Sequence, residues 1–480
     1  MSRARGLLLI LGVWCAIYLP GLGTLEIKGE EGRRILPAVA MLQTRNFLVP
    51  HVGSDPYFAK PPLVNWLVAA SFKLFAQRNE WAARIPSALC VLAVALAFAT
   101  IARSTLGANG SLIGALVWLT NFGMIEKGRL IEIEALYASL CGLAVIGWLS
   151  WWQEGRSKWL TWVVPWIFLG LGLLAKGPLH LIFFYAVVLA VLYRAGELRM
   201  LWNSAHLLGL ILMVGIFAAW AIPCLRVAQE SSVTQTWAHQ FSGRLSGEDF
   251  KLSGWLLNIP RGLCYFLPWT ILFAFARRAR CFQSERTSSI AKGLLLGIAV
   301  SFLGISLLPG SLARYTMPLL VPAAWLVAML LTSDTFELPR WLQFHRLKVV
   351  PKELRLPVVW SALVCLAIAI YAFALMPALV RREKVRNIAA QLNAALPPGE
   401  PLYALDPDYQ PFLFYVRNAI VYIAKPAALP REARFILVQR RDEEQVASML
   451  NRKAPESILR IKDYRGKEVT LLKPAGEDSP

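Results

Sequence analysis

Long runs of apolar residues, separated by short polar stretches, dominate the first 379 positions of the chain. A helix needs about 20 mostly apolar residues to cross the hydrocarbon core of a bilayer. At that length the pattern predicts eleven membrane-spanning helices. They are predicted near 6–25, 84–103, 109–125, 131–151, 158–176, 178–194, 205–225, 260–277, 289–308, 314–332 and 357–377.

The connection over 26–83 is too long for a turn and too regularly patterned for a linker. Glu31–Gln43 has apolar positions at helical spacing along one face. Leu63–Phe75 is apolar but too short to span easily, and the preceding Pro61-Pro62 favours a helix start. We therefore predict two helices that lie along the membrane surface.

The tail over 380–480 has the pattern of a small soluble domain. Short β-branched runs between turn residues are typical of strands, and longer amphipathic runs are typical of helices. The predicted helices are Val380–Leu396 and Asp442–Leu450, and the predicted strands are Pro401–Leu405, Arg434–Val438, Ser457–Ile461 and Val469–Leu472. This order predicts an α/β domain, separate from a membrane domain over 1–379.

Composition agrees with a membrane protein, since 56% of residues are hydrophobic, 17% are charged and the mean hydropathy is +0.50. The net charge of +20 lies mostly before residue 380, in short Arg- and Lys-rich loops on one side of the predicted spans. Such loops stay cytoplasmic and meet anionic lipid headgroups, so we expect a cytoplasmic N-terminus and a tail on the outer side. The first apolar run reads as an uncleaved signal anchor. Because no basic and aromatic residues form a contiguous module, we expect no nucleic-acid partner.

Acidic residues are scarce in the membrane part, and two groups of them lie at the outer ends of spans. The first group is Glu30 and Glu31 with Arg33. The second contains Glu126, Glu132 and Glu134 with Lys127 and Arg129. Carboxylates gathered at one rim can act as a general base and its partner or as a cation site. Alternatively, they are helix-end charges solvated by water and headgroups.

Lys60 stands out in the connection because it directly precedes Pro61-Pro62 and a predicted helix start. Exposed N–H groups at a helix start favour an anion, and a lysine beside them suits a phosphate. The alternative is a lysine that reaches from apolar surroundings to the headgroup region.

These residues resemble a known family. Glu30-Glu31-Gly32-Arg33, Asn46-Phe47-Leu48-Val49-Pro50-His51 and Tyr57-Phe58-Ala59-Lys60-Pro61-Pro62-Leu63 follow one another as in the first outer loop of bacterial lipid A aminoarabinose transferases and their relatives in the protein O-mannosyltransferase superfamily. Weaker matches follow in the same order over most of the chain. They are Arg129 with Glu134, Lys176-Gly177-Pro178, His239 with Arg244, Arg314-Tyr315, and Phe414-Tyr415 with Arg417.

The resemblance implies the GT-C fold and the transfer of a sugar from a polyprenyl-phosphate carrier to a lipid, glycan or protein acceptor at the periplasmic face of the inner membrane. It implies that Glu30 is the base or acceptor-orienting carboxylate, that Glu134 is its partner, and that Lys60 binds the carrier phosphate with Arg33 and Arg129. Further substrate contacts are expected from Glu31, Tyr57, Lys176, His239, Arg244, Arg314 and Tyr315. We expect a monomer.

The chain departs from the family at four of these positions. Glu30 and Glu134 stand where the family has aspartates, which we interpret as a matched pair of changes, and Arg34 replaces a tyrosine. Ala59 stands where the family has a glutamate before the K-P-P motif. If that glutamate helps to hold a divalent metal in relatives, this chain lacks it, so a metal here is in doubt.

Two other classes of protein fit part of the pattern. A transporter or flippase of lipid-linked glycans would carry ionisable residues at mid-bilayer, whereas the acids here lie at one rim. A non-catalytic envelope scaffold would depend on its tail rather than on Glu30 and Lys60.

Overall fold

The computed structural model describes residues 2–227, 236–238, 250, 252–276, 282, 284–407, 409–430, 432–449, 456–463 and 466–474. Its residues pack into two compact units. The first, here the helical unit, comprises Met1–Leu22, Ala59–Val64 and Arg84–Phe373. The second, here the loop–tail unit, comprises Gly23–Phe58, Asn65–Ala83 and Ala374–Pro480. Most of the 26–83 connection therefore packs with the tail.

Helices dominate the part of the chain before residue 380 that the structure describes. They are α1 Arg3–Tyr18, α2 Gly32–Thr44, α3 Leu63–Phe75, α4 Glu80–Thr100, α5 Arg103–Thr120, α6 Phe122–Lys127, α7 Ile133–Gln153, α8 Lys158–Lys176, α9 Leu179–Ala195, α10 Ser204–Val227, α11 Leu252–Leu256, α12 Asn258–Tyr265, α13 Ile271–Ala276, α14 Glu285–Ser306, α15 Leu320–Leu331, α16 Arg355–Ile370 and α17 Met376–Val380. A 3-10 helix, Ala313–Leu319, leads into α15.

Seven of the described helical segments are long and apolar enough to cross a membrane. Five of them are α4, α7, α8, α10 and α14, and the other two are Ala313–Leu331 and Lys352–Val380. The predicted spans over α1, α5 and α9 also form helices, of 16, 18 and 17 residues. The chain is therefore an integral membrane protein.

The predicted span near 260–277 forms two short helices, α12 and α13, instead of one continuous helix. Pro268 lies between them, and a proline disfavours helical backbone at the residue before it and cannot donate an N–H. The chain between the predicted spans 109–125 and 131–151 also differs from the prediction, because a separate short helix, α6, extends to Lys127.

Both segments that were predicted as helices in the connection are helical, as α2 and α3, and α3 has the predicted bounds. A two-residue hairpin joins them, in which β1 (His51–Val52) pairs with β2 (Asp55–Pro56). Gly53, at the turn, has a positive φ of 68°, which glycine adopts without strain.

The tail forms a five-stranded mixed sheet with two helices. Its elements are α18 Val385–Ala395, β3 Leu402–Leu405, β4 Ile420–Ile423, β5 Ile436–Gln439, α19 Arg440–Met449, β6 Glu456–Lys462 and β7 Glu468–Lys473. The strand order is β4-β3-β5-β7-β6, with β3 parallel to β4 and β5. The pairs β5–β7 and β6–β7 are antiparallel. The α/β prediction holds, and β4 is the strand it missed.

Candidate active site

Glu134 anchors a buried ion cluster in the helical unit. It lies in the first turn of α7, and its Oε1 is 3.1 Å from both Lys176 Nζ and Arg314 Nε. Lys176 is the last residue of α8, and Arg314 lies in the 3-10 helix before α15. The side chains of Glu134 and Lys176 are only 10% and 6% exposed. The structure therefore brings together three predicted site residues from distant parts of the chain. These three residues comprise two cations and one carboxylate.

Two tyrosine rings hold the ammonium group of Lys176. Its Nζ lies 4.4 Å from the ring centroid of Tyr315 and 5.4 Å from that of Tyr137. Such contacts between a cation and a ring face add attraction where water is excluded. Tyr137 also donates from its hydroxyl to the carbonyl of Gly177 at 3.0 Å, so it holds the chain beside Lys176. Tyr315 was expected here. Tyr137 was missed, although it lies one turn after Glu134.

A second ion group lies next to this cluster along the chain. Lys127 Nζ is 2.9 Å from Glu126 and 3.1 Å from Glu132. Although burial lowers the pKa of Lys127, the two carboxylates raise it to about 12. Burial raises the pKa of Glu132, against the pull of Lys127. These contacts fix the short segment between α6 and α7 that carries Arg129.

Arg129 is buried and bound to backbone. Its guanidinium donates to the carbonyls of Ile17 and Pro20, at and just beyond the end of α1. Carbonyls at the end of a helix lack partners within the helix, and a guanidinium can satisfy two of them. Burial lowers the pKa of Arg129. The contacts therefore tie the end of α1 to the segment after α6.

Lys60 lies in the helical unit, three residues before α3, and is half-buried. Pro61-Pro62 follow it before the helix start, as the sequence indicated, and the hairpin precedes it along the chain. It thus directly precedes the start of a helix, where backbone N–H groups lack partners within the helix.

Glu30, Glu31 and Arg33 lie in the loop–tail unit. Glu30 and Glu31 belong to a 3-10 turn, Gly29–Glu31, directly before α2. Glu30 pairs with Arg33 at 3.5 Å, and their side chains are 41% and 36% exposed. Arg33 also lies over the ring of Tyr409, 3.9 Å from its centroid. Glu31 is buried and accepts from the backbone N–H of Lys28 at 3.4 Å, as a helix cap does. Nothing in the sequence pointed to Tyr409.

Tyr57 accepts a hydrogen bond from Arg34 at 3.1 Å. Arg34 is the residue that replaces the family's tyrosine, and it is buried in the loop–tail unit. Its carbonyl also accepts from Asn65 at 2.8 Å, which joins α2 to α3. The departure at this position thus supplies a bond within the loop.

His239 and Arg244, the two remaining predicted contacts, lie outside the described residues. Within the ranges that the structure describes, no group of three or more His, Cys, Asp or Glu side chains is arranged to hold a metal ion.

Sequence comparison finds related families. The dolichyl-phosphate-mannose-protein mannosyltransferase family matches residues 59–222. Undecaprenyl phosphate-alpha-4-amino-4-deoxy-L-arabinose arabinosyl transferase 1 of Pseudomonas fluorescens is 26% identical over 339 residues. That alignment covers 68% of this chain and 60% of the relative. The corresponding transferase 2 of Proteus mirabilis is 25% identical over 332 residues, with 68% and 59% coverage. The chain thus spans about 60% of the length of these curated relatives.

Structure comparison extends the similarity to the whole chain. ArnT from Cupriavidus metallidurans bound to undecaprenyl phosphate superposes with a TM-score of 0.67 at 17% identity, covering 99% of each chain. Its apo form gives 0.68 at 16% identity, covering 98% of this chain and 97% of ArnT. The predicted resemblance is thereby confirmed: this chain has the GT-C fold and is similar to the lipid A aminoarabinose transferases and to the protein mannosyltransferase family.

Proposed function

We propose that the protein is a glycosyltransferase that moves a sugar from a polyprenyl-phosphate carrier to a lipid A-like lipid, a glycan or a protein. The observation that carries this proposal is the similarity over 68% of the chain to undecaprenyl-phosphate aminoarabinose transferases. The shared fold over the whole chain supports it. The names of these relatives give 4-amino-4-deoxy-L-arabinose as the transferred sugar, so an amino pentose is the sugar we propose first.

In the proposed reaction an acceptor oxygen forms a bond to the anomeric carbon of the sugar. The bond from that carbon to the carrier oxygen breaks, and its electron pair leaves with the lipid phosphate. Negative charge builds on the phosphate in the transition state, so fixed cations aimed at it lower the barrier. Lys60 and Arg33 supply this charge in the proposal.

Glu30 orients the acceptor and, where the acceptor is a hydroxyl, takes its proton. Its carboxylate is exposed and pairs with Arg33. Glu134 acts as the partner acid by fixing Lys176 and Arg314, which with Tyr315 provide further contacts to the donor. Arg129 contributes by holding the end of α1, while Glu31 and Tyr57 shape the loop that carries Glu30. His239 and Arg244 complete the proposed contacts.

We propose an inner-membrane location with a cytoplasmic N-terminus and a periplasmic tail. The supporting observation is the Arg- and Lys-rich loop set, including 340–355, on one side of the predicted spans. The donor would then reach the protein through the membrane, and the working form would be a monomer.

Glu30→Gln and Lys60→Ala test the site in membranes supplied with labelled prenyl-linked sugar. Loss of a cation aimed at the transition state costs about 10²–10³-fold in rate, and loss of a general base costs about 10²–10⁴-fold. Both variants should therefore lose about 10²-fold or more. Lys73→Ala, on the exposed last turn of α3, and Glu456→Gln, on exposed β6, are matched charge controls. Wild-type rates in Glu30→Gln and Lys60→Ala would refute the site.

Mass spectrometry of envelope glycolipids, with and without the protein, identifies the sugar and the acceptor. In liposomes with donor supplied only on the outer leaflet, an enzyme forms glycosylated acceptor. A transporter would instead move the donor without forming product.

A further inference from the structure

The segment before Glu30 is bound by the tail through its backbone. The N–H of Ile27 donates to the hydroxyl of Tyr415 at 2.7 Å, and the N–H of Glu26 donates to Glu383 at 3.0 Å. The carbonyl of Thr24 accepts from Arg386 at 3.2 Å. Backbone contacts of this kind fix the path of a chain regardless of its side chains. Residues 24–27 therefore have their position set by the tail.

The carboxylate of Glu26 completes this attachment from the other direction. It accepts from the backbone N–H groups of Lys384 at 3.2 Å and Arg386 at 3.0 Å, at the start of α18. A carboxylate at the N-terminus of a helix satisfies N–H groups that have no partner within the helix. Glu26 thus caps the start of α18.

The far end of the 26–83 connection reaches the same two tail residues. Glu80, the first residue of α4, accepts from Tyr415 at 2.8 Å and from the guanidinium of Arg386. Arg386 also pairs with Glu383 at 3.0 Å. The Glu80 and Glu383 side chains are nearly buried, so water competes little for these bonds. Arg386 and Tyr415 therefore hold both ends of one loop.

The start of α2 also rests on the tail. A Cβ added at Gly32 would lie 2.8 Å from the carbonyl oxygen of Tyr409, so the backbone approaches too closely for a side chain. The next residue, Arg33, stacks on the ring of Tyr409. Glu30 and Arg33, two residues of the proposed site, are thus held on either side of a direct contact with the tail.

We propose that Arg386 and Tyr415 are positioning residues for sugar transfer: they clamp both ends of the 26–83 connection and so set the place of Glu30 and Arg33. This inference rests on the proposed function. A displacement of about 1 Å in a reacting group can cost about 10²-fold in rate, so a loop that carries such groups needs a rigid support. The clamp explains why the tail carries the Phe414-Tyr415 motif although Tyr415 lies 335 positions from Glu80.

Tyr415→Phe is the first test, because it removes the bridging hydroxyl and keeps the ring. Wild type and variant are purified in detergent as full chains and assayed below their melting temperatures. We expect kcat to fall about tenfold or more with little change in the KM for the donor. A purely structural role would lower the melting temperature without this fall in kcat. Wild-type kcat in Tyr415→Phe would overturn the proposal.

Arg386 is tested by Arg386→Ala and Arg386→Lys. A lysine can pair with Glu80 but cannot bind Glu80, Glu383 and the Thr24 carbonyl together, so it should restore only part of kcat. The matched control is Arg440→Ala, which breaks a tail ion pair of 2.6 Å to Glu468 that involves no loop residue. Arg440→Ala should retain wild-type kcat. An equal loss in Arg440→Ala and Arg386→Ala would refute a clamp.

A readout that needs no substrate separates this inference from the proposed function. Trypsin can cut after Arg45, an exposed residue with left-handed backbone at the end of α2. Tyr415→Phe loses two hydrogen bonds, to Ile27 and to Glu80, each worth about 1 kcal/mol. It should therefore speed this cut about thirtyfold, whereas Arg440→Ala should not. If wild type transfers no sugar but this difference is found, the proposed function fails and the clamp stands. Equal cutting rates would refute the clamp even in an active enzyme.

Discussion

At the scale of single residues, the change from aspartate to glutamate at position 134 has a structural consequence. The carboxylate reaches Lys176 and Arg314 at 3.1 Å each, although these residues lie 42 and 180 positions further along the chain. The longer side chain is therefore compatible with an ion cluster in which one carboxylate contacts both cations. This supports a matched variant of the family pattern rather than a lost site.

Glu134→Gln should inactivate and destabilise the protein. The amide keeps the shape but leaves Lys176 and Arg314 without their carboxylate, and breaking a buried ion pair on one side costs about 3–5 kcal/mol. We expect a clear drop in melting temperature in detergent and a strong loss of transfer. Glu126→Gln is the control, because its side chain is 54% exposed and should change either value little. A Glu134→Gln protein as stable as wild type would contradict the cluster's role.

At the scale of elements, α9 and α14 pack at backbone distance. A Cβ at Gly297 would lie 2.7 Å from the carbonyl oxygen of Ala186, and one at Gly293 would lie 2.6 Å from the Cα of Val191. Glycines four residues apart allow such close approach between helices in a membrane. The sequence shows the spacing of these glycines, but it does not show which helix they contact.

Gly297→Ala should therefore destabilise the protein by about 1–3 kcal/mol, because the added methyl group forces α9 and α14 apart. Gly304→Ala is a matched control on the same helix, where an added Cβ meets nothing within 4 Å. It should be neutral or slightly stabilising, since alanine is the better helix former. Thermal unfolding of both variants in detergent measures the difference, and equal melting temperatures would contradict the predicted contact.

The tail clamp predicts a dependence on alkaline pH. Burial and the Glu80 carboxylate raise the pKa of Tyr415 above its ordinary value of 10.0. Above pH 10 the unfolded chain releases this proton while the folded chain keeps it, so folding loses stability as the pH rises. The difference in melting temperature between wild type and Tyr415→Phe should be largest below pH 10 and should decrease above pH 10. A difference that stays constant from pH 8 to pH 11 would count against this.

At the scale of the whole molecule, the charge pattern predicts how the protein sits across the membrane. Lys348 lies in a basic, exposed loop, and Ser457 lies on exposed β6 of the tail. A single cysteine is introduced at each of these positions. A maleimide that cannot cross membranes should label Ser457→Cys in intact spheroplasts and Lys348→Cys only after they are broken. The native cysteines are replaced in both variants, so that the maleimide labels only the introduced cysteine. Reversed labelling would invert the proposed topology.

Hydropathy, charge and local pattern were enough to predict the membrane class, most helices, the bounds of α3 and the α/β tail. These features are local: whether a segment is apolar enough for a bilayer, or amphipathic enough for a surface, depends on its own residues. The break between α12 and α13 had a local signal in Pro268, as did β4 in its β-branched run, and both were missed.

The partners of the charged residues came only from the tertiary structure. Glu134 with Arg314, Arg129 with the end of α1, and Tyr415 with Glu80 are each far apart in the chain. Several helix ends offer a possible partner for each charge, and nothing in the spacing selects among them. Packing decides which ends meet, because close contact between helices and between loop and tail depends on side-chain shapes summed over the whole chain.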